Sequence, residues 1–144
     1  LWGLRDDVEQ LMRFRPLFIF DVSLPIPAMA GYVEQVREAL LERWPDGKLW
    51  VFGHMGDGNL HVTVSAGAPD AATRAAVESI VYRPLSAVEG SVSAEHGIGL
   101  EKKRYLPLSR KPAEIELMKR LKRALDPAGI LNPGKLFDVA DAAN

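Results

Sequence analysis

The chain of 144 residues has no cysteine at all. That excludes a disulfide framework and thiolate metal ligands, and it suits a reducing compartment. Neither sign of charge dominates: 18 lysines and arginines stand against 19 aspartates and glutamates, for a net charge of -1. The balance removes the electrostatic case for nucleic acid or an anionic membrane surface as a partner. Long apolar runs are missing too, and the longest fall far short of the ~20 residues of a membrane-spanning helix. No repeat, low-complexity tract or signal-like segment occurs, and the chain opens Leu1-Trp2-Gly3 without an initiator methionine. The expectation is a piece of a longer polypeptide, cytoplasmic, with peripheral attachment to a membrane as the alternative. The composition, 47% hydrophobic and 26% charged, suits one globular domain with a real core.

Leu4, Val8 and Leu11 predict a short amphipathic helix at the start, and Leu17 to Val22 reads as a buried apolar strand ended by Ser23-Leu24-Pro25. From Pro27 to Trp44, Met29, Val33, Val36 and Leu40 recur at helical spacing until Pro45-Asp46-Gly47 stops the pattern. Two β-prone runs follow, Leu49 to Gly53 and Leu60 to Val64. Pro69 to about Val88 is helical again, on Val77, Ile80, Val81 and Leu85, with a kink expected at Pro84. Ser91 to Glu95 predicts a short fourth strand. The order β-α-β-β-α-β is the split pattern of a ferredoxin-like sandwich. The fold class is therefore α+β, with a C-terminal tail made of a helix over Pro112 to Leu125, a break at Asp126 to Gly129 and a turn at Asn132 to Lys135.

The stretch between the two middle strands, His54-Met-Gly-Asp57-Gly58-Asn59-Leu-His61, carries the chemistry. With Asp57-Gly58 as a two-residue hairpin turn, Gly56 opposes Asn59, Met55 opposes Leu60 and His54 opposes His61. Opposed residues share a sheet face with Cβ atoms roughly 4.5–5.5 Å apart. Two imidazoles that close are a half-site for a divalent metal; the plain alternative is a hairpin with two polar rim residues. In the usual ferredoxin-like order (fourth strand, first, third, second), Glu95 emerges at the same sheet edge, about 10 Å from the third strand. It is either a third ligand or a solvated strand end. Three protein ligands leave a position open for substrate. His96 adjoins it, with Gly97 and Gly99 beyond, where unusual dihedrals and close approach of a flat ligand are possible. A histidine beside a metal-bound alcohol is suited to take its proton. The competing reading is a helix start with Glu95 and His96 as capping residues.

Taken together, Gly53-His54-Met-Gly-Asp57-Gly58-Asn59-Leu-His61, Ser93-Ala-Glu95-His96-Gly97-Ile-Gly99 and Leu125-Asp-Pro-Ala-Gly129-Ile-Leu-Asn132-Pro-Gly-Lys135 resemble the C-terminal domain of FAD-linked oxidases. This is the vanillyl-alcohol-oxidase type superfamily, in the branch of D-lactate dehydrogenase, glycolate oxidase and D-2-hydroxyglutarate dehydrogenase. Leu1-Trp2-x-x-Arg5 and Asp21-x-Ser23-x-Pro25 match as well, so the likeness runs through nearly the whole chain. The resemblance implies that residues 1–144 form a substrate (cap) domain over the flavin, and that a separate N-terminal domain, absent from this chain, binds FAD. It implies a divalent ion, commonly zinc, on His54, His61 and Glu95, with Mn²⁺ or Fe²⁺ also compatible with such a set. It further implies His96 as the base for a 2-hydroxy-acid hydroxyl, Arg5 as the carboxylate clamp and Asn132 as a residue facing the cofactor. Without it, Arg5 reads as a surface helix residue and Asn132 as a turn residue. Lys102, Lys103 and Arg104 read as a solvated basic run.

The chain departs from the pattern of the hydroxyglutarate enzymes at three places. Ile19 stands where a lysine is expected, Thr63 where an asparagine is usual, and Glu9 where a small hydroxyl residue belongs. These changes argue for a monocarboxylate such as D-lactate, glycolate or a bulkier 2-hydroxy acid. Electrons would leave to an acceptor protein or a quinone. The 144 residues alone are expected neither to hold FAD tightly nor to oxidise lactate. Two other functions remain open on residues alone: a metal-loaded ligand-binding or regulatory module without redox activity, and a metal hydrolase using His96.

Overall fold

The computed structural model describes residues 8–139. Three strands, β1 (Leu17–Ser23), β2 (Lys48–His54) and β3 (Asn59–Ser65), form an antiparallel sheet in the order β1-β3-β2. The helices are α1 (Met29–Arg43), α2 (Ala71–Tyr82) and α3 (Pro112–Leu125), joined by short 3₁₀ segments and one further turn at Leu106–Ser109. The architecture is α+β, as the periodicities predict. Among the described residues no helix is long and apolar enough to cross a membrane.

Alternation along the strands sorts side chains onto two faces. Phe18, Phe20 and Val22 of β1 and Leu60, Val62 and Val64 of β3 point inwards, where they meet Val36 and Leu40 of α1 and Val77 and Val81 of α2. Asp70 caps α2 by accepting the Thr73 N–H at 2.7 Å. The helix tightens into a 3₁₀ segment, Arg83–Val88, at Pro84, the expected kink. Leu85, fully buried there, closes the core. Leu85→Ala should cost about 2–5 kcal/mol of stability, read as a lower urea midpoint, with kcat per folded molecule unchanged. A stability loss under 1 kcal/mol would contradict this packing role.

The fourth strand is reduced to one bridge. Ser91 pairs antiparallel with Ser23 through Ser23 N–H to Ser91 O at 3.1 Å and Ser91 N–H to Ser23 O at 2.6 Å. The chain then leaves the sheet, because its next donors are not aimed along β1: Val92 N–H goes to Ser109 Oγ at 2.9 Å, and the amides of 94–96 turn to the Asp21 side chain. Ser91 still sits beside β1, so the ferredoxin-like order of segments persists without a full strand. The tail helix α3 buries none of its residues and leaves Leu117, Leu121 and Leu125 exposed, together with Ile130 and Leu131.

Candidate metal centre

The second sheet face, away from α1 and α2, carries the polar residues in cross-strand rows. Ser23, Asn59 and His54 form one row; Asp21, His61 and Phe52 the next; Ile19, Thr63 and Trp50 the third. His54 is therefore opposite Asn59, not His61, and the expected pairings of Met55 with Leu60 and Gly56 with Asn59 do not occur. The connection is longer than two residues: Met55–Asp57 is a 3₁₀ turn and Gly58 alone takes the left-handed conformation, φ 80. Asp57 adds an Asx-type bond, its Oδ1 accepting Asn59 N–H at 3.2 Å. A side chain at Gly58 would place Cβ 2.6 Å from the carbonyl oxygen of Leu24. The register is offset by two residues from the expectation, and an even offset preserves the face. His54 and His61 are diagonal neighbours on it, their rings edge-on with centroids 5.6 Å apart.

Glu95 reaches this face from the loop after Ser91. Its Oε1 accepts a hydrogen bond from Asn59 Nδ2 at 2.7 Å and lies 3.0 Å from His54 Nδ1. One donor atom each from His54, His61 and Glu95 lie within 4.8 Å of one another. His96 follows, its ring stacked towards that of His61 at 6.4 Å between centroids. All three histidines of the chain thus meet in one place. Glu95 and His96 belong neither to a strand end nor to a helix start. The loop that bears them bends, and Gly97 and Gly99 both adopt positive φ, 73 and 55.

Asp21, Asn59 and Lys102 take parts in this centre that residue patterns did not disclose. The Asp21 side chain is 1% exposed, and its Oδ2 accepts N–H bonds from Ala94, Glu95 and His96 at 3.1, 2.9 and 3.0 Å. Burial by itself pushes the Asp21 carboxyl up, but the His96 and Glu95 amides, with Lys102 and His96 close by, outweigh it and hold it below the usual carboxylate value. Lys102 Nζ lies 3.6 Å from that oxygen and 2.8 Å from Ser93 Oγ. Burial draws the Lys102 ammonium below its ordinary value, and Asp21 offsets only part of the shift. The basic run is accordingly not solvated as a whole: Lys102 serves Asp21, Lys103 pairs with Asp138, and Arg104 pairs with the buried Glu78. The available signal was Asp21 itself, a lone carboxylate inside an apolar strand, a position that burial tolerates only with partners.

Two other expected residues stand apart. Arg5 and the side chain of Glu9 lie outside the described residues. Asn132, with φ 48, sits in the exposed turn of the tail and lines a cleft of about 690 Å³ with Lys122, Asp126 and Phe137. The tail is tied back to the loop after His96, since Leu136 N–H donates to Gly99 O at 2.9 Å. Of the residues that depart from the hydroxyglutarate pattern, Ile19 is 62% exposed on the sheet face away from α1 and α2, whereas Thr63 opposite it is buried.

A small α+β domain with its chemistry gathered on the sheet face away from α1 and α2 is the class these features define. The family of FAD linked oxidases, C-terminal domain, matches residues 4–136, and the chain belongs to that family. It is 43% identical over 150 residues to a D-2-hydroxyglutarate dehydrogenase of Xanthomonas citri pv. viticola, a match covering 99% of this chain and 31% of the relative. It is 44% identical over 137 residues to the mitochondrial D-2-hydroxyglutarate dehydrogenase of Rattus norvegicus, covering 94% and 25%. A putative mitochondrial D-lactate dehydrogenase of Schizosaccharomyces pombe is 36% identical over 145 residues, covering 94% and 28%. The chain spans about a quarter to a third of the length of the curated relatives it matches.

Proposed function

We propose that the chain is the substrate domain of a flavin-dependent dehydrogenase that oxidises a D-2-hydroxy acid to the 2-oxo acid, with FAD held by a separate N-terminal domain. The observation that carries this reading is the meeting of His54, His61 and Glu95, with His96 alongside, on the sheet face away from α1 and α2 of a FAD-linked oxidase domain.

Donor chemistry and spacing suit a divalent ion at the first three residues. Two imidazoles and a carboxylate are accepted by Zn²⁺, Mn²⁺ and Fe²⁺ alike, with zinc the choice the resemblance favours. Donors around one tetrahedral ion with bonds of about 2.1 Å stand about 3.4 Å apart. The three here lie within 4.8 Å, and the His54 and Glu95 side chains are 46% and 44% exposed, so small rotations close the set. Such an ion supplies Lewis-acid polarisation of the substrate's 2-hydroxyl, and the flavin supplies the acceptor for the C2 hydride. The chain's own residues do the remainder. Asn59 holds the Glu95 carboxylate towards His54. His96 takes the hydroxyl proton, so that one proton leaves to the imidazole as the electron pair leaves with the hydride. Arg5 receives the substrate carboxylate in its planar fork. Asn132 is the proposed contact to the cofactor, and reoxidation falls to an acceptor protein or a quinone.

The substrate we infer is a monocarboxylate. The row of His61 and the one beyond it, Asp21–His61–Phe52 and Ile19–Thr63–Trp50, hold no lysine or arginine, and Ile19 and Phe52 present exposed apolar surface. Lys102, the cation that reaches Asp21, is already paired with it, so among the described residues of these rows a second carboxylate would lose solvation without gaining a partner. A dye-coupled screen of D-2-hydroxy acids on the full-length protein should give D-lactate or a bulkier monocarboxylate a kcat/KM at least about tenfold above that for D-2-hydroxyglutarate. Ile19→Lys should raise the value for hydroxyglutarate by about tenfold. Hydroxyglutarate as the best substrate of the unaltered protein would reverse the substrate choice, and no turnover of any 2-hydroxy acid would refute the reaction.

A further inference from the structure

Asp21 is the charged residue of β1, and its placement is lopsided. Oδ2 collects three consecutive backbone amides and stands 3.2 Å from Ser93 Oγ, while Oδ1 is buried without a hydrogen-bond partner among the described residues. A carboxylate buried only to stabilise the strand would satisfy both oxygens. This one is committed to a single segment. Three successive N–H groups converging on one point form a nest that requires an anion at its focus. The segment in question, residues 93–96, has neither helix nor strand to hold it, yet it bears Glu95 and His96. Asp21 also stands directly opposite His61, so one strand position ties the loop to the row of the second histidine. Lys102 balances the charge from the far side, reaching both Asp21 and Ser93.

We propose that Asp21 is a positioning residue: its buried carboxylate latches the backbone of Ala94 to His96 and so fixes the Glu95 carboxylate and the His96 imidazole against the histidines of the hairpin. The proposal rests on the reading of Glu95 and His96 given above. Its test compares Asp21→Asn with Glu78→Gln in the full-length protein. Glu78 is likewise a buried carboxylate, bound to Arg104 and to Tyr105 Oη, the latter at 3.0 Å, away from the centre.

Asp21→Asn should speed amide hydrogen exchange across residues 93–97 and raise the Zn²⁺ dissociation constant, measured by chelator competition, about ten- to a hundredfold. It should also lower kcat about tenfold, within the same range for groups that orient ligands. Glu78→Gln should change none of the three, whatever it does to the melting temperature. Unchanged exchange at 93–97 overturns the latch. Faster exchange with unaltered kcat and zinc affinity overturns its positioning role, as does an equal effect from Glu78→Gln at matched loss of melting temperature. If the unaltered protein takes up no zinc, the metal reading fails by itself, and exchange and kcat still decide for or against the latch. Should Asp21→Asn not fold, Ser93→Ala serves in its place, with faster exchange and a kcat loss of a few fold expected and no change in either refuting the proposal.

Discussion

His54→Ala in the full-length protein is expected to abolish divalent-ion binding at the proposed centre and to lower kcat/KM by at least about a hundredfold. The imidazole is one of three candidate donors, and its loss leaves the pair His61 and Glu95, which no other described residue completes to a set of three. It is also the residue whose Nδ1 lies 3.0 Å from Glu95 Oε1, so its removal frees the carboxylate to swing away on Asn59 alone. Folding should hardly notice. The side chain is 46% exposed and contributes nothing to the core, and surface changes of that kind alter stability within about 0.5 kcal/mol. Metal analysis, melting temperature and flavin content measured together separate loss of the ion from loss of the fold. Chelator treatment of the unaltered protein should mimic the variant, and added Zn²⁺ or Mn²⁺ should restore only the unaltered protein. An alanine variant that keeps both ion and turnover would remove His54 from the centre.

His96→Gln should leave the ion and the flavin in place while kcat drops about a hundred- to ten-thousandfold, the range for losing a positioned general base. The glutamine keeps the backbone N–H that Asp21 binds at 3.0 Å, so the loop remains anchored. What would disappear is the nitrogen proposed to accept the proton of the substrate hydroxyl. In a stopped-flow single turnover the reduction of the flavin should slow by the same factor, with KM little changed, because in the proposed site the substrate carboxylate and the ion are held by other residues. If flavin reduction keeps its rate, another group takes the proton and His96 is a neighbour only. The His54 and His96 variants should therefore fail differently: the first is expected to lose metal with activity, the second to lose activity with metal retained.

Much of this centre is legible in the residues themselves, and for local reasons. The hairpin was readable because turn residues sit between two β-prone runs, and the shared face of the histidines followed from the two-residue period of a strand. That parity survived a wrong turn type. An Asp-Gly step permits a two-residue turn without enforcing it, and the alternative, a 3₁₀ turn closed by Gly58 with Asp57 bonded to Asn59, moves the register by two and keeps both rings on one side. The helices were equally readable, α3 within the bounds Pro112–Leu125 that its apolar spacing and flanking breakers indicate. The fourth strand was overextended because β-propensity at Ser91 to Glu95 competes with a stronger local demand: the amides there are taken by Asp21 rather than by a neighbouring strand.

The order of elements, the α+β class and the identity of the three histidines and the glutamate are properties of residue type and spacing, and these belong to the amino-acid sequence alone. The tertiary structure alone decided that Asn59 rather than His61 faces His54, that Glu95 comes within reach of both histidines, and that Asp21, 73 to 75 positions away along the chain, holds the loop that delivers it. The physical reason is that side-chain periodicity is local and written in residue names. The contacts that finish the centre run between backbone amides and a carboxylate far apart in the chain, and an amide carries no residue label to read.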